Sequence, residues 1–155
     1  MAVTMPLADH LHPAAVLIAP QARDKWHLIE MLAESMVVAG RLPRERLKDA
    51  VEALYARERC VSTGLEEGIA VPHAALEGLQ GMVVSLAIVP DGMDFEAQDG
   101  QAAQVIVAVL VPRQEKLLHL QTLAEIARRL GDAEFRGGLL RCADGRQVVA
   151  LWAAA

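Results

Sequence analysis

Residues 82–89 and 105–111 are two near-continuous apolar runs, and they constrain the fold of this chain more than any other feature. The first is closed by Pro90-Asp91-Gly92 and the second by Pro112. Short apolar runs rich in Val, Leu and Ile and bounded by turn residues read as strands buried in a sheet. A third, shorter strand is expected at 69–71. Between and after these runs the pattern changes to helical spacing. Leu28, Ile29, Leu32, Met36 and Val37 form one face of a helix over 24–39, and Gly40 is placed to end it. Pro43 suits the first turn of a second helix, whose stripe is Leu47, Ala50, Val51 and Leu54 and whose end falls near Arg57. Further helices are expected over 114–130, 133–141 and 146–153. Strands alternating with helices in this order indicate an α/β layered domain. Residues 1–20 carry Pro6, Pro13 and Pro20 around Val16-Leu17-Ile18, which reads as an extended lead-in along the surface.

A chain of 155 residues can bury a core without staples, and no stretch departs in composition enough to mark a second domain, so 1–155 is read as one. Its formal charge of −5, with basic residues scattered among acidic ones and few aromatics, argues against a nucleic-acid surface. Cys60 and Cys142 are too few for a disulfide framework and form no C-x-x-C pair; they are read as small apolar fillers in a reducing compartment. No signal sequence and no apolar run of membrane-spanning length is present. The expectation is a cytoplasmic protein that does not insert into a membrane.

Chemistry concentrates between Arg57 and His73. A helix delivers Arg57, a glycine-punctuated loop follows through Ser62, Thr63, Gly64 and Gly68, and a short apolar run ends at Pro72-His73. Neutral imidazole is a good nucleophile near pH 7, because one ring nitrogen is free while the other is protonated. It can accept a phosphoryl group and pass it on. Such a transfer needs position and positive or donor groups around the phosphoryl oxygens; Arg57, Ser62, Thr63 and the loop N–H groups are candidates. A lone histidine at a strand end is most often structural, but the order of residues around this one is specific. From Arg57 to His73 the chain resembles the active-site signature of the fructose/mannitol-type enzyme IIA domains of the phosphoenolpyruvate-dependent sugar phosphotransferase system (PTS), including its nitrogen-regulatory branch. That signature reads approximately R-E-x-x-x-S-T-G-x-x-x-G-x-A-x-P-H, and every fixed position is filled. Asp24-Lys25, Gly92-Met93-Asp94-Phe95, Asp99-Gly100 and His119-Leu120-Gln121-Thr122-Leu123-Ala124 also look like family landmarks. Ala75 departs from the basic residue that relatives commonly carry just after the Pro-His pair, which weakens the local positive charge.

The resemblance implies a mixed sheet flanked by helices in the enzyme IIA type 2 fold, and a phosphotransferase with a phosphohistidine intermediate. It makes His73 the phosphorylated nucleophile, through Nε2, with the other ring nitrogen held by a nearby carbonyl. It places His119 beside His73, donating to phosphoryl oxygens or holding the loop; helical spacing alone puts His119 with Leu123, Ile126 and Leu130, and Gln121, Thr122, Glu125, Arg128 and Arg129 on the polar side. Arg57 would neutralise developing charge, and Ser62 or Thr63 could donate to an oxygen or cap the loop. The donor implied is an HPr-type phosphocarrier, or its nitrogen-system counterpart. The acceptor implied is an enzyme IIB or a regulated target protein.

No cofactor, nucleotide or metal is implied. The loop lacks the G-K-[ST] ending of a P-loop, and His10 and His12 sit in a proline-broken segment without cysteine or a clear acidic partner, as solvated residues. His27 is expected to be exposed, and no G-x-S-x-G elbow supports a serine hydrolase. Leu65, Ile69, Leu76 and Leu79 are candidates for an apolar docking patch around His73, or equally for the core. Three functions remain: a nitrogen-type regulator, favoured by the absence of a fused transport or IIB domain; a sugar-uptake phosphocarrier; and a binding module that keeps the fold without turnover.

Overall fold

In the computed structural model, which describes residues 7–154, the two apolar runs become the centre of a six-stranded sheet as β5 (Val83–Met93) and β6 (Ala103–Pro112). They pair antiparallel, Val83 opposite Leu110 and Ile88 opposite Val105. β1 (Val16–Ile18) lies parallel to β5. On the other side of β6 lie β3 (Ile69–Ala70) and β4 (His73–Leu76), both parallel to it, and β2 (Gly64–Leu65) pairs antiparallel with β3. The sheet is therefore mixed.

Helices cover both faces, which is why the central strands read as unbroken apolar runs rather than alternating ones. Successive residues of β5 and β6 point to opposite faces. Val83, Ala87, Val89, Ile106, Ala108 and Leu110 pack toward α1 (Lys25–Val38) and α2 (Leu47–Cys60). Val84, Leu86, Ile88, Val105, Val107 and Val109 pack toward α3 (Lys116–Leu130), α4 (Ala133–Leu140) and α5 (Gly145–Ala154). The alanines on the first face let α1 and α2 approach the sheet closely.

Local chemistry sets most element ends. Asp24 caps α1, its carboxylate accepting the His27 N–H at 2.8 Å, and Gly40 ends it at φ +74°. Pro43 leads into a 3₁₀ turn at Arg44–Arg46, and α2 then runs past Arg57 to Cys60, which keeps Glu58 helical and buried. β5 does not stop at Pro90. Its register against β6 is interrupted between Ile88 and Met93, so the N–H that proline lacks is missed by no ladder partner there.

The expected extended lead-in is corrected. Residues 7–20 contain 3₁₀ turns at Leu7–His10 and Pro13–Ala15 followed by β1, while Leu7 and Leu11 are 0% and 2% exposed. Pro13 fits the first position of a 3₁₀ turn as readily as an extended chain, because only its φ is fixed. Pro6 and the rest of residues 1–6 lie outside the described residues. His12 is half-buried and caps the second turn, its Nδ1 accepting the Ala14 N–H at 2.9 Å. His27 is also half-buried, with Nδ1 accepting from Arg23 N–H. Cys60 is exposed rather than a core filler, and Cys142 is half-buried. Among the described residues no helix is long and apolar enough to cross a membrane.

Truncating Leu11 tests the corrected role of this segment. Leu11→Ala is expected to lower stability by about 2–4 kcal/mol in urea denaturation, as for a core leucine, whereas a surface lead-in would leave it nearly unchanged.

Candidate functional site

The site begins with a proline. Pro72 has no N–H to give a sheet, so the strand lying along β6 breaks there into β3 and β4. The Pro72 carbonyl still accepts from the Val109 N–H at 3.0 Å, and the Val71 N–H bonds to the Thr63 carbonyl at 3.0 Å. The Val71 carbonyl takes a side chain instead of a ladder partner: His73 Nδ1 lies 2.7 Å from it. A carbonyl oxygen only accepts, so Nδ1 carries the proton and Nε2 keeps its lone pair.

His119 on α3 faces this ring edge-on, with centroids 5.1 Å apart. Arg57, in the last turn of α2, is half-buried and donates from Nη1 to the Val61 carbonyl at 2.7 Å. Burial is the main force holding the His73 ring below the ordinary imidazole range; the Val71 bond opposes it, and the positive charge of Arg57 adds to it. His119 is lowered by burial and then by Arg57. Both rings are thus kept neutral beside a fixed cation, which suits a site that gathers negative charge.

Beneath the loop lies a buried ion pair. Lys25 Nζ is 3.0 Å from Glu58 Oε2, with side chains 6% and 0% exposed. Glu58 also accepts the Thr63 N–H at 3.1 Å and the Thr63 hydroxyl. Three donors on one buried carboxylate join α1, α2 and the loop. Ser62 continues the brace: its hydroxyl donates to the Phe95 carbonyl and accepts the Gly64 N–H at 3.0 Å. Gly64 is needed here because a Cβ would fall 2.9 Å from the Phe95 carbonyl oxygen. At Gly68 the chain turns at φ +78°, held by Asp99, whose carboxylate accepts the Glu67 and Gln101 N–H groups. Those two donors pull its pKa down.

His73, His119 and Arg57 are thus brought together. Ser62 and Thr63 lie on the adjoining loop, but their hydroxyls are engaged with Phe95 and Glu58. Glu58 and Lys25 received no role from sequence reasoning, although the Arg57-Glu58 and Asp24-Lys25 pairs were both in view. Thr122, expected on the polar side of α3, is 3% exposed; its hydroxyl donates to the Leu118 carbonyl at 2.7 Å and lies 3.3 Å from Met82 Sδ. Of the four residues read as docking patch or core, only Leu65 is exposed, while Ile69, Leu76 and Leu79 belong to the core. Exposed Val61, Leu117 and Leu120 were missed; they adjoin the Arg57 end of α2 and flank His119 on α3. Among the described residues no cluster of three or more His, Cys, Asp or Glu is arranged to hold a metal.

The family model described as "Phosphoenolpyruvate-dependent sugar phosphotransferase system, EIIA 2" matches residues 9–154. The chain belongs to this EIIA 2 family. Within it, the chain is 33% identical over 133 residues to a nitrogen regulatory protein of Pseudomonas aeruginosa, covering 86% of this chain and 85% of the relative. It is 35% identical over 121 residues to a PTS system fructose-specific EIIA component of Haloferax volcanii, covering 78% and 77%. The crystal structure of Nitrogen Regulatory Protein IIA-Ntr from Neisseria meningitidis superposes with a TM-score of 0.82 at 26% identity, over 94% of this chain and 98% of that one. The mixed sheet flanked by helices is the EIIA 2 fold.

Histidine titration checks the electrostatics. In NMR titrations both His73 and His119 are expected to protonate below the usual value of about 6.5, and Arg57→Gln should move both midpoints upward. Because folding lowers both values, the unfolded chain binds more protons in the window from about 6.5 down to the folded values. The stability contribution is present above that window and lost as pH falls through it.

Proposed function

We propose that this chain is a phosphocarrier whose His73 Nε2 takes a phosphoryl group from a phosphohistidine on an HPr-type protein, or on its nitrogen-system counterpart, and then passes it on or signals by carrying it. In the first step the donor's N–P bond breaks as the His73 Nε2–P bond forms, and the donor is left as neutral imidazole. The Nδ1 proton stays where it is. The observation that carries this reading is the bond from Nδ1 to the Val71 carbonyl, which leaves Nε2 as the unprotonated nitrogen. The protein's remaining contribution is electrostatic. Arg57 faces the charge on the phosphoryl oxygens, and neutral His119, 5.1 Å away between ring centroids, is positioned to donate to one of them. Ser62 and Thr63 are assigned to holding the loop, whose N–H groups at Thr63, Gly64 and Glu67 are engaged within the protein.

Docking is assigned to the exposed apolar residues Val61, which follows α2, Leu65 on β2, and Leu117 and Leu120 on α3 beside His119. A carrier has to bind donor and acceptor transiently, and a small apolar patch with a charged rim serves that. The nitrogen-regulatory role is favoured, since the nitrogen regulatory relative is matched over more of its length than the fructose-specific one. A sugar-uptake role, with an enzyme IIB as acceptor, is the second reading, supported by the 35% identity to a fructose-specific EIIA component. Both readings place the protein in the cytoplasm, where the donor is found.

Intact mass after incubation with phosphoenolpyruvate, enzyme I and HPr decides the first step. An acid-labile gain of one phosphoryl group is expected, absent in His73→Ala; no gain, with the donor shown competent on another enzyme IIA, would overturn it. Leu120→Asp is expected to raise the KM for phospho-donor about tenfold while changing kcat less than about twofold, because the side chain touches partner rather than phosphate.

A further inference from the structure

At the far end of β4 from His73 lies a cavity of about 570 Å³. It forms where the turn from β4 to β5 meets the α1–α2 connection and the Leu7–His10 turn, and Arg41, Arg46, His10, Pro43, Leu79 and Met82 line it. Arg46 stands just before α2 and Arg57 in its last turn; along a helix that separation is roughly 16 Å, so this cavity is separate from the His73 site.

Its charge is not accounted for by the fold. Arg46 has a structural duty on two of its nitrogens, with Nε 3.2 Å from Asp49 and Nη2 donating to the Glu77 carbonyl at 2.8 Å. Its Nη1, which lies over Gly78, has no partner among the described residues. Arg41 is exposed and forms no ion pair among the described residues, so it braces nothing. The N–H groups of Gly78, Gln80 and Gly81 donate to no backbone acceptor among those residues, while 77–78 form a hydrogen-bonded turn. Guanidinium forks and free backbone N–H groups in a concavity are what binds an oxyanion. Leu79, Met82 and Pro43 offer apolar contact beside them, and the volume is that of a small-molecule site.

We propose that this cavity binds a small organic oxyanion, a phosphate monoester or a carboxylate. The oxyanion sits between Arg41, Arg46 Nη1 and the 78–81 turn, and the body of the ligand lies against Leu79, Met82 and Pro43. The site does not use His73 and stands whether or not that residue carries phosphate.

The test is a ¹H–¹⁵N NMR titration of the full chain with glycerol 3-phosphate, inorganic phosphate and citrate at constant ionic strength, with glycerol as the uncharged control. Saturable shifts are expected at Arg41 and across 78–81, and which anion saturates first distinguishes phosphate from carboxylate as the preferred head. Arg41→Ser is expected to weaken binding at least about tenfold, and Arg41→Lys less, because the bidentate fork is lost but the charge kept. Gly81→Asp provides a second variant: a Cβ there meets nothing within 4 Å, so the added carboxylate enters open space and should abolish binding without disturbing the fold. Neither variant should alter phosphorylation of His73. Shifts that do not saturate, that map only to the Arg57–His73 region, or that survive both Arg41→Ser and Gly81→Asp unchanged would overturn the inference while leaving the His73 reading intact.

Discussion

The buried pair of Lys25 and Glu58 is the interaction on which the geometry around His73 depends. A buried charge without its partner costs several kcal/mol, and the pair is tolerable only when its remaining hydrogen-bond capacity is filled. Thr63 fills it, with both its N–H and its hydroxyl on the Glu58 carboxylate. The same requirement that makes the pair stable therefore fixes where the loop starts. From Thr63 the constraint passes along the chain, since the Thr63 carbonyl holds the Val71 N–H and the Val71 carbonyl holds His73 Nδ1. Four bonded contacts lead from a lysine on α1 to the tautomer of a histidine on β4.

A continuous β2–β3 ladder could not have done this. The Val71 N–H faces the Thr63 carbonyl, and in a regular antiparallel pair the Thr63 N–H would return to the Val71 carbonyl, so that the ring of His73 would have to find another partner. Here the Thr63 N–H goes to Glu58 instead, and Pro72 ends the β6 ladder at the next residue. The sheet supplies rigidity on either side of the break, and the diverted Thr63 N–H leaves a free carbonyl. Rigid placement together with one unsatisfied acceptor is an economical way to set the protonation of a nucleophile.

Much of the fold was legible because its signals are local. Two apolar runs with prolines behind them gave β5 and β6, and helical spacing with Asp24 and Gly40 gave α1. What could not be read depended on distant partners. Residues 7–20 carry prolines that fit an extended chain or 3₁₀ turns equally, and only the sheet edge of β5 and the packing of these turns against α5 decide between them. β2 and β4 are too short to show a period. Within the site, the R-E-x-x-x-S-T-G…P-H order singled out Arg57 and His73, but Glu58 looked like one more charged residue on a helix. Its role arises from burial against Lys25, thirty-three positions away. Thr122 was misplaced for the same reason: a hydroxyl satisfied by its own helix carbonyl can turn inward, and spacing alone counts it as polar. Ile69, Leu76 and Leu79 could be assigned to core or patch only once the strands were paired.

Membership of the EIIA 2 family and the geometry at His73 meet in one claim, that the imidazole is held with Nδ1 protonated and Nε2 free. The most direct measurement is ¹⁵N NMR of the ring nitrogens of His73 at about pH 7.5, before and after phosphorylation. The account predicts a protonated, pyrrole-like Nδ1 and an unprotonated Nε2 in the free protein, with phosphorus coupling appearing at Nε2. A protonated Nε2 in the free protein, or phosphorus on Nδ1, would contradict it.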